Sequence, residues 1–259
     1  MNVNRIFTIA NNAFLEVVRD RILYIIGFYA VILAVAVNFL PQIAATTEDK
    51  MFLDVGLAAM SILCLIIAVF VGTGLINKEI EKRTILMLIA KPVSRNEFVV
   101  GKYLGLSAVI TLIVAAMTAI YLIFLQINNI SYSATSIIVN AIFLVLQLSL
   151  ISAIAITFGV FTASILATAL TFAVYLMGNI TQDLLNLTRI GENPGLKRIA
   201  QALYLLLPDL SRLDLKNEAV YGLSALPDST TLFINAGYSL IYTAMVLALA
   251  ILIFSQKEF

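Results

Sequence analysis

Histidine and tryptophan are absent from the 259 residues, and cysteine occurs once, at Cys64. Without an imidazole there is no His general base, no His-ligated metal, and no Ser/His or Cys/His arrangement for hydrolysis. One thiol closes no internal disulfide and builds no Cys-rich metal site. Inside an apolar run it reads as a small hydrophobe. Charge is scarce as well: 12% of residues carry one, against about 25% in ordinary soluble domains. The few charges nearly cancel, with 16 Lys and Arg against 15 Asp and Glu, which leaves no basic face for a nucleic acid. The phosphate-cradling pattern G-x-x-x-x-G-K-[ST] is missing too. Gly101-Lys102 is followed by Tyr103 and has Asn96 where the first glycine belongs.

What the chain has in abundance is apolar surface, 61% of its residues. Polar residues this few cannot cover such a core in water, so lipid is the expected solvent. A helix needs about 20 apolar residues to cross roughly 30 Å of hydrocarbon. Charges divide the sequence into runs of that size, with spans expected near 22–40, 52–76, 103–125, 137–158, 163–182 and 232–254. Residues 103–182 contain no charged side chain. As one helix they would be about 120 Å long, so they must fold back more than once. The polar stretch 126–136 marks one turn, and TFGVFTAS at 157–164 offers small and β-branched residues for another. The expected fold is therefore an all-α membrane protein of six transmembrane helices in a single domain, 1–259.

Lys and Arg near the span ends set orientation. With the N-terminus inside, Arg5, Arg19, Arg21, Lys78, Lys82, Arg83, Lys91, Arg95, Lys102 and Lys257 are cytoplasmic. Lys50, Arg189, Lys197, Arg198, Arg212 and Lys216 are outside. Both termini are expected in the cytoplasm. No cleavable signal is expected, because the first hydrophobic run is long and follows a segment with helical spacing. In that segment Ile6, Ile9, Ala10, Ala13, Phe14, Val17 and Val18 share one face, and Arg5, Thr8, Asn12, Glu16 and Arg19 the other. It predicts a helix over 1–21 lying in the headgroup plane.

Carriers driven by ion gradients keep ionisable groups at mid-bilayer. Here Asp54 stands two residues into its span, where a helix N-terminal carboxylate is favoured. Asn140, Gln147, Ser149, Ser152, Asn179 and Gln182 are polar but uncharged. Such groups link helices by hydrogen bonds or line a path. Any uphill work must come from a partner.

One cytoplasmic loop, 77–102, is large enough to receive it. Lys78 to Ala90 reads as a short helix, with Glu79 and Arg83 four apart on one face. Lys91-Pro92 stops it. Ser94-Arg95-Asn96-Glu97 then has the spacing of a capping box that opens the next helix. Gly101 and Gly105 follow at the small-xxx-small spacing that lets backbones approach. The pattern fits either a coupling element or a polar loop with good caps. Farther on, 183–231 is too apolar for a free loop. The amphipathic stretch 196–207 carries Leu203 and Leu206 and ends at Pro208, and Tyr221 follows. A gate over 196–221 and a lid that only packs are both compatible with it.

The run EIEKRTILMLIAKPVSRNEFVVGKYLG resembles the cytoplasmic loop of type-2 ABC transporter permeases, the branch associated with multi-copper-enzyme maturation in particular. The correspondence lies in Glu79 or Glu81, Thr84, the apolar 86–89, Pro92-Val93-Ser94-Arg95 and Gly101-Lys102. The resemblance implies the membrane subunit of an ATP-driven exporter, without catalytic residues or cofactors of its own. It implies docking of a separate ATPase on Glu79, Glu81, Lys82, Arg83 and Thr84, with Lys91, Pro92, Ser94, Arg95 and Glu97 holding the turn. Two ATPase subunits and a second permease copy, identical or paralogous, are the implied partners, in a bacterial plasma (inner) membrane. The implied outer gate includes Leu203, Leu206, Pro208 and Tyr221. The alternative is a non-transporting anchor or assembly subunit of a larger membrane complex.

Overall fold

A computed structural model describes residues 2–19, 22–43, 48–81, 94–190 and 207–256. They form α1 (Val3–Arg19), α2 (Ile22–Ile43), α3 (Glu48–Glu81), α4 (Arg95–Ile127), α5 (Ala134–Phe161), α6 (Ser164–Ile190), α7 (Lys216–Tyr221) and α8 (Ser229–Gln256). Two 3-10 turns, Leu210–Arg212 and Leu223–Ala225, flank α7, and no strand occurs among the described residues. The protein is an all-α membrane protein. Helices are the expected solution in lipid, because each satisfies its backbone polar groups within its own segment. Five of them (α2 to α5 and α8) are long and apolar enough to cross a bilayer. In α6 the apolar part, Ser164–Ile180, is shorter.

Successive long helices run antiparallel, so α4 starts where α5 and α8 end. That end is called the clamp end here. The helices differ from the sequence reading at both ends of α3 and at the end of α6, which runs to Ile190, past the expected span end at 182. α3 begins at Glu48, inside the charged patch that reads as an interruption, because Glu48 and Asp49 suit the first turn of a helix whose dipole favours acids there. At its other end α3 runs without a break to Glu81, through residues expected to open a separate helix. Nothing between Ile76 and Glu81 is a glycine or proline that would stop it. α5 and α6 are separated by Thr162 and Ala163 alone, within the stretch 157–164.

Buried side chains of α3, α4 and α5 make the centre of the core, including Leu57, Met60, Leu106, Ile110, Ile113 and Ile151. Polar contacts set the register. The hydroxyl of Tyr121 donates to Leu53 O (2.9 Å) and that of Tyr29 to Gly56 O (3.2 Å), so α2 and α4 both grip the first turns of α3. Thr73 Oγ1 lies 3.0 Å from Thr168 Oγ1 and joins α3 to the start of α6. Apolar side chains on the outer faces of α2, α6 and α8, such as Phe28, Val35, Ile165, Phe233 and Ile241, stay exposed. In water those faces would be untenable; in lipid they are ordinary.

Candidate functional site

The first two turns of α4 are fastened to both α1 and α8. Ser94 has the extended backbone of an N-cap (φ −74°, ψ 148°), and its Oγ accepts the Glu97 N–H at 3.3 Å. Glu97 Oε2 accepts the Ser94 N–H in return, at 3.2 Å, which completes the capping box. The other carboxylate oxygen is used elsewhere. Glu97 Oε1 accepts the backbone N–H of Asn2 at 2.6 Å, so a buried carboxylate caps α4 and holds the start of α1. The Asn2 amide and then the Ser94 amide hold the Glu97 carboxyl below the usual carboxylate range, against the opposing effect of burial, and Arg5 adds to the lowering. A negative charge there also suits the positive end of the α4 dipole.

Along α1 the glycines explain the close approach. A Cβ on Gly105 would lie 2.6 Å from Ala10 O and 2.7 Å from Ala13 Cβ. On Gly101 it would meet Ile9 at 2.7 Å. The small-xxx-small pair thus receives α1, which lays Ile6, Ala13 and Val17 against α4 and leaves Val3, Phe7 and Leu15 exposed. Between the two glycines, Lys102 is buried with its Nζ 3.3 Å from Glu16 Oε2 and 5.9 Å from the centre of the Phe98 ring. The ammonium is desolvated but paired, while the long stem packs among apolar groups.

On the other side Arg95 Nη1 donates to Phe254 O (3.0 Å) and Ser255 O (2.8 Å) in the last turn of α8. The Phe98 and Phe254 rings stack with centroids 5.9 Å apart. Of the residues assigned to the loop, Ser94, Arg95 and Glu97 therefore come together, and Arg95 and Glu97 are engaged with α8 and α1. Glu79 and Glu81 lie on the last turn of α3, where only the backbone is described. Lys82, Arg83, Thr84, Lys91 and Pro92 fall outside the described residues, as does most of the expected helix 78–90. Sequence reasoning missed Asn2, Glu16, Phe254 and Ser255 as partners. Lys102 inside a largely apolar helix was the one available signal, since such a lysine needs an acid nearby.

At the opposite end the segment 207–226 is built into the bundle. Leu210, Leu213 and Leu215 are buried, and Gln147 Nε2 on α5 donates to Leu210 O at 3.4 Å. Buried Asp209 accepts from Ser211 Oγ (2.6 Å) and from Arg212 Nε (2.8 Å), and its N–H donates to the Tyr238 hydroxyl (2.9 Å). Asn235 on α8 donates to Arg212 O at 3.1 Å. A Cβ on Gly178 would lie 2.7 Å from Pro208 O, so α6 touches the segment backbone directly. Of the expected gate residues, Pro208 is buried in this contact. Tyr221 is exposed, with Lys50 Nζ 5.0 Å above its ring. Leu203 and Leu206 lie outside the described residues, with the rest of the amphipathic stretch 196–206. Among the polar groups of the helices, Ser239 links α8 to α5 by donating to Leu146 O, while Ser152 and Asn179 bond within their own helices.

No curated protein matches the chain. A family model described as "ABC-2 family transporter protein" matches residues 7–259. That range takes in α1 from Phe7 onward, all of the later helices and the segment 207–226. Permeases of this kind are membrane subunits that are not themselves catalytic and generally work with ABC ATPase partners. The chain is a multi-pass membrane protein that belongs to the ABC-2 transporter permease family.

Proposed function

We propose that the chain is the membrane subunit of an ATP-driven exporter, six spans crossing the plasma membrane of a bacterium with both termini in the cytoplasm. Two copies, or this chain and a paralogue, line the path, and two separate ATPase subunits supply the work. The clamp end faces the cytoplasm in this reading, and α1 lies along the membrane surface with Val3, Phe7 and Leu15 in lipid. Residues 77–102, from the end of α3 into the start of α4, are the coupling loop, with Glu79, Glu81, Lys82, Arg83 and Thr84 in contact with the ATPase. Lys91 and Pro92 hold the turn with Ser94, Arg95 and Glu97. At the outer face 196–221 closes the path.

The observation that carries this reading is the fixing of Arg95 and Glu97 to α8 and α1. A flexible polar loop would have no use for such an anchorage. A docking element needs it, because a push on a frayed helix end would dissipate before reaching the spans. Reversing charge at Glu79 and Arg83 together tests the reading. The variant is expected to enter the membrane and fold but to lose the ATPase on co-purification. Retention of the ATPase at wild-type stoichiometry would refute the assignment of the docking residues. Thiol labelling probes the outer segment: rapid modification of Leu203→Cys and Leu206→Cys from water would eliminate a membrane-dipping element.

A further inference from the structure

Arg95 is misplaced for the helix it belongs to. It is the first residue of α4, where the dipole disfavours a cation, and the acid that suits this turn is already supplied by Glu97. Its guanidinium is turned instead to the C-terminal end of α8, where one nitrogen bonds the carbonyls of Phe254 and Ser255 at 3.0 and 2.8 Å. Those carbonyls lie in the last described turn of α8, where the negative end of the helix dipole favours a cation. One side chain thus joins the start of one long helix to the end of another across 159 residues of sequence. Phe98, a turn later, stacks on Phe254. Farther along, α8 is held to α5, through Ser239 with Leu146 O and Thr157 with Val246 O, and meets α4 again where Tyr103 and Thr243 hydrogen-bond, so Arg95 and Phe98 are the link between the first turns of α4 and the last turn of α8.

We propose that Arg95 is a transmission residue, whose two bonds to the α8 carbonyls make the first turn of α4 and the last turn of α8 move as one body. The inference rests on the reading of 77–102 as the coupling loop and extends it. A displacement delivered there reaches α8, the helix farthest along the chain, directly instead of by way of α5. Because α8 also carries Asn235, which holds Arg212 O at the opposite end, the same displacement reaches the outer segment through one rigid helix. Lysine in place of Arg95 would keep the charge on a shorter stem, whose ammonium would have to reach both carbonyls without the length of the guanidinium.

The test is a distance measurement on the complete complex with its ATPase, in lipid, with Cys64→Ala removing the native thiol. Spin labels on the exposed positions Asn96→Cys and Gln256→Cys report the α4–α8 joint. A second pair, Asn96→Cys with Tyr24→Cys on α2, reports motion of α4 against the bundle. On trapping with ATP and vanadate the 96–24 distance is expected to change by several Å while 96–256 stays fixed. In Arg95→Ala the 96–256 distance is expected to change as well, and Arg95→Lys, which keeps a charge and folds more securely, to fall between. A 96–256 distance that moves as much as 96–24 in the wild type overturns the proposal, as does an Arg95→Ala joint that stays rigid. If the ATPase binds but neither pair responds to nucleotide, the docking reading itself falls, and this inference with it.

Discussion

Glu97 accepts the backbone N–H of Asn2 at 2.6 Å with one carboxylate oxygen while the other closes the cap of its own helix. The two bonds make α1 and α4 interdependent. Substituting Glu97 with Gln leaves one acceptor oxygen for two backbone donors and removes the charge. Amide exchange in 2–6 is expected to rise in that variant, with exchange in α4 beyond Lys102 unchanged. Equal exchange in 2–6 of wild type and variant, measured by mass spectrometry, would show that the bond does not hold α1.

The same contact has a pH signature. The carboxyl of Glu97 sits below its ordinary range in the folded protein, chiefly because the Asn2 amide bonds its charged form. Its stabilising contribution is therefore complete above the unfolded value of about 4.3. It is lost only as pH falls through the lower folded value. Since the chain has no Trp, Phe7→Trp provides a single fluorescent reporter on α1. Its emission is expected to stay constant from neutral pH down to about 4.3 and to shift only in stronger acid. In the Glu97→Gln background that acid transition is expected to vanish. A transition between pH 5 and 7 in the wild-type background would point to another group.

Gly105 tests the seam between α1 and α4 by volume. A leucine there must displace Ala10 O and Ala13 Cβ, neither of which can rotate away. Overpacking of this kind costs about 1–3 kcal/mol. Gly237 in α8 meets nothing within 4 Å, and alanine there gains helix propensity of about 1 kcal/mol without a clash. Thermal unfolding in detergent is expected to fall for Gly105→Leu and to hold or rise for Gly237→Ala. A reversed order would mean that the seam is not close-packed.

These pairs show where sequence reading reaches and where it stops. The long apolar runs, the capping spacing of Ser94 and Glu97 and the four-residue spacing of Gly101 and Gly105 are local patterns, and local patterns are visible in one chain. What occupies the second oxygen of Glu97 or the guanidinium of Arg95 depends on elements 95 and 159 residues away. No spacing rule reaches that far. The patch Glu48-Asp49-Lys50 misleads for a different reason: a charge cluster ends an apolar run whether it forms a loop or the acidic first turn of a helix. A polar residue such as Gln147 announces a hydrogen bond, but its acceptor is the carbonyl of Leu210, and a carbonyl leaves no mark in a sequence.

Asp209 organises the segment that this carbonyl belongs to. Only 3% exposed, it is bonded by Ser211 Oγ and Arg212 Nε. Alanine at this position strands both donors, and hydrogen bonds to a charged group are worth about 1.5–3 kcal/mol each. Arg212 keeps a third of its side chain in solvent, so the loss is expected at the lower end of that range. Proteolysis within 207–226 is expected to accelerate in Asp209→Ala while the membrane helices remain protected. Unchanged cleavage would show that burial of Leu210 and Leu213 suffices to hold the segment.

Whether that segment moves during a cycle can be decided where α6 meets it. A Cβ at Gly178 would lie 2.9 Å from Leu210 Cγ, so cysteines at 178 and 210 are within reach of a disulfide once Cys64 is replaced. If 207–221 opens as a gate, oxidising the pair in Gly178→Cys/Leu210→Cys locks it shut. In the proposed complex with an ATPase, hydrolysis is then expected to fall several-fold, because a locked segment would block the conformational change that turnover is proposed to drive. Reduction is expected to restore the rate, which separates locking from damage by the substitutions themselves. A lid that only packs behaves otherwise: with α6 and the segment moving together, the crosslink adds no constraint and hydrolysis continues at the reduced-state rate. Equal rates before and after reduction, with the disulfide shown to have formed, would therefore remove the gate from the outer face and leave 207–221 as a structural cover.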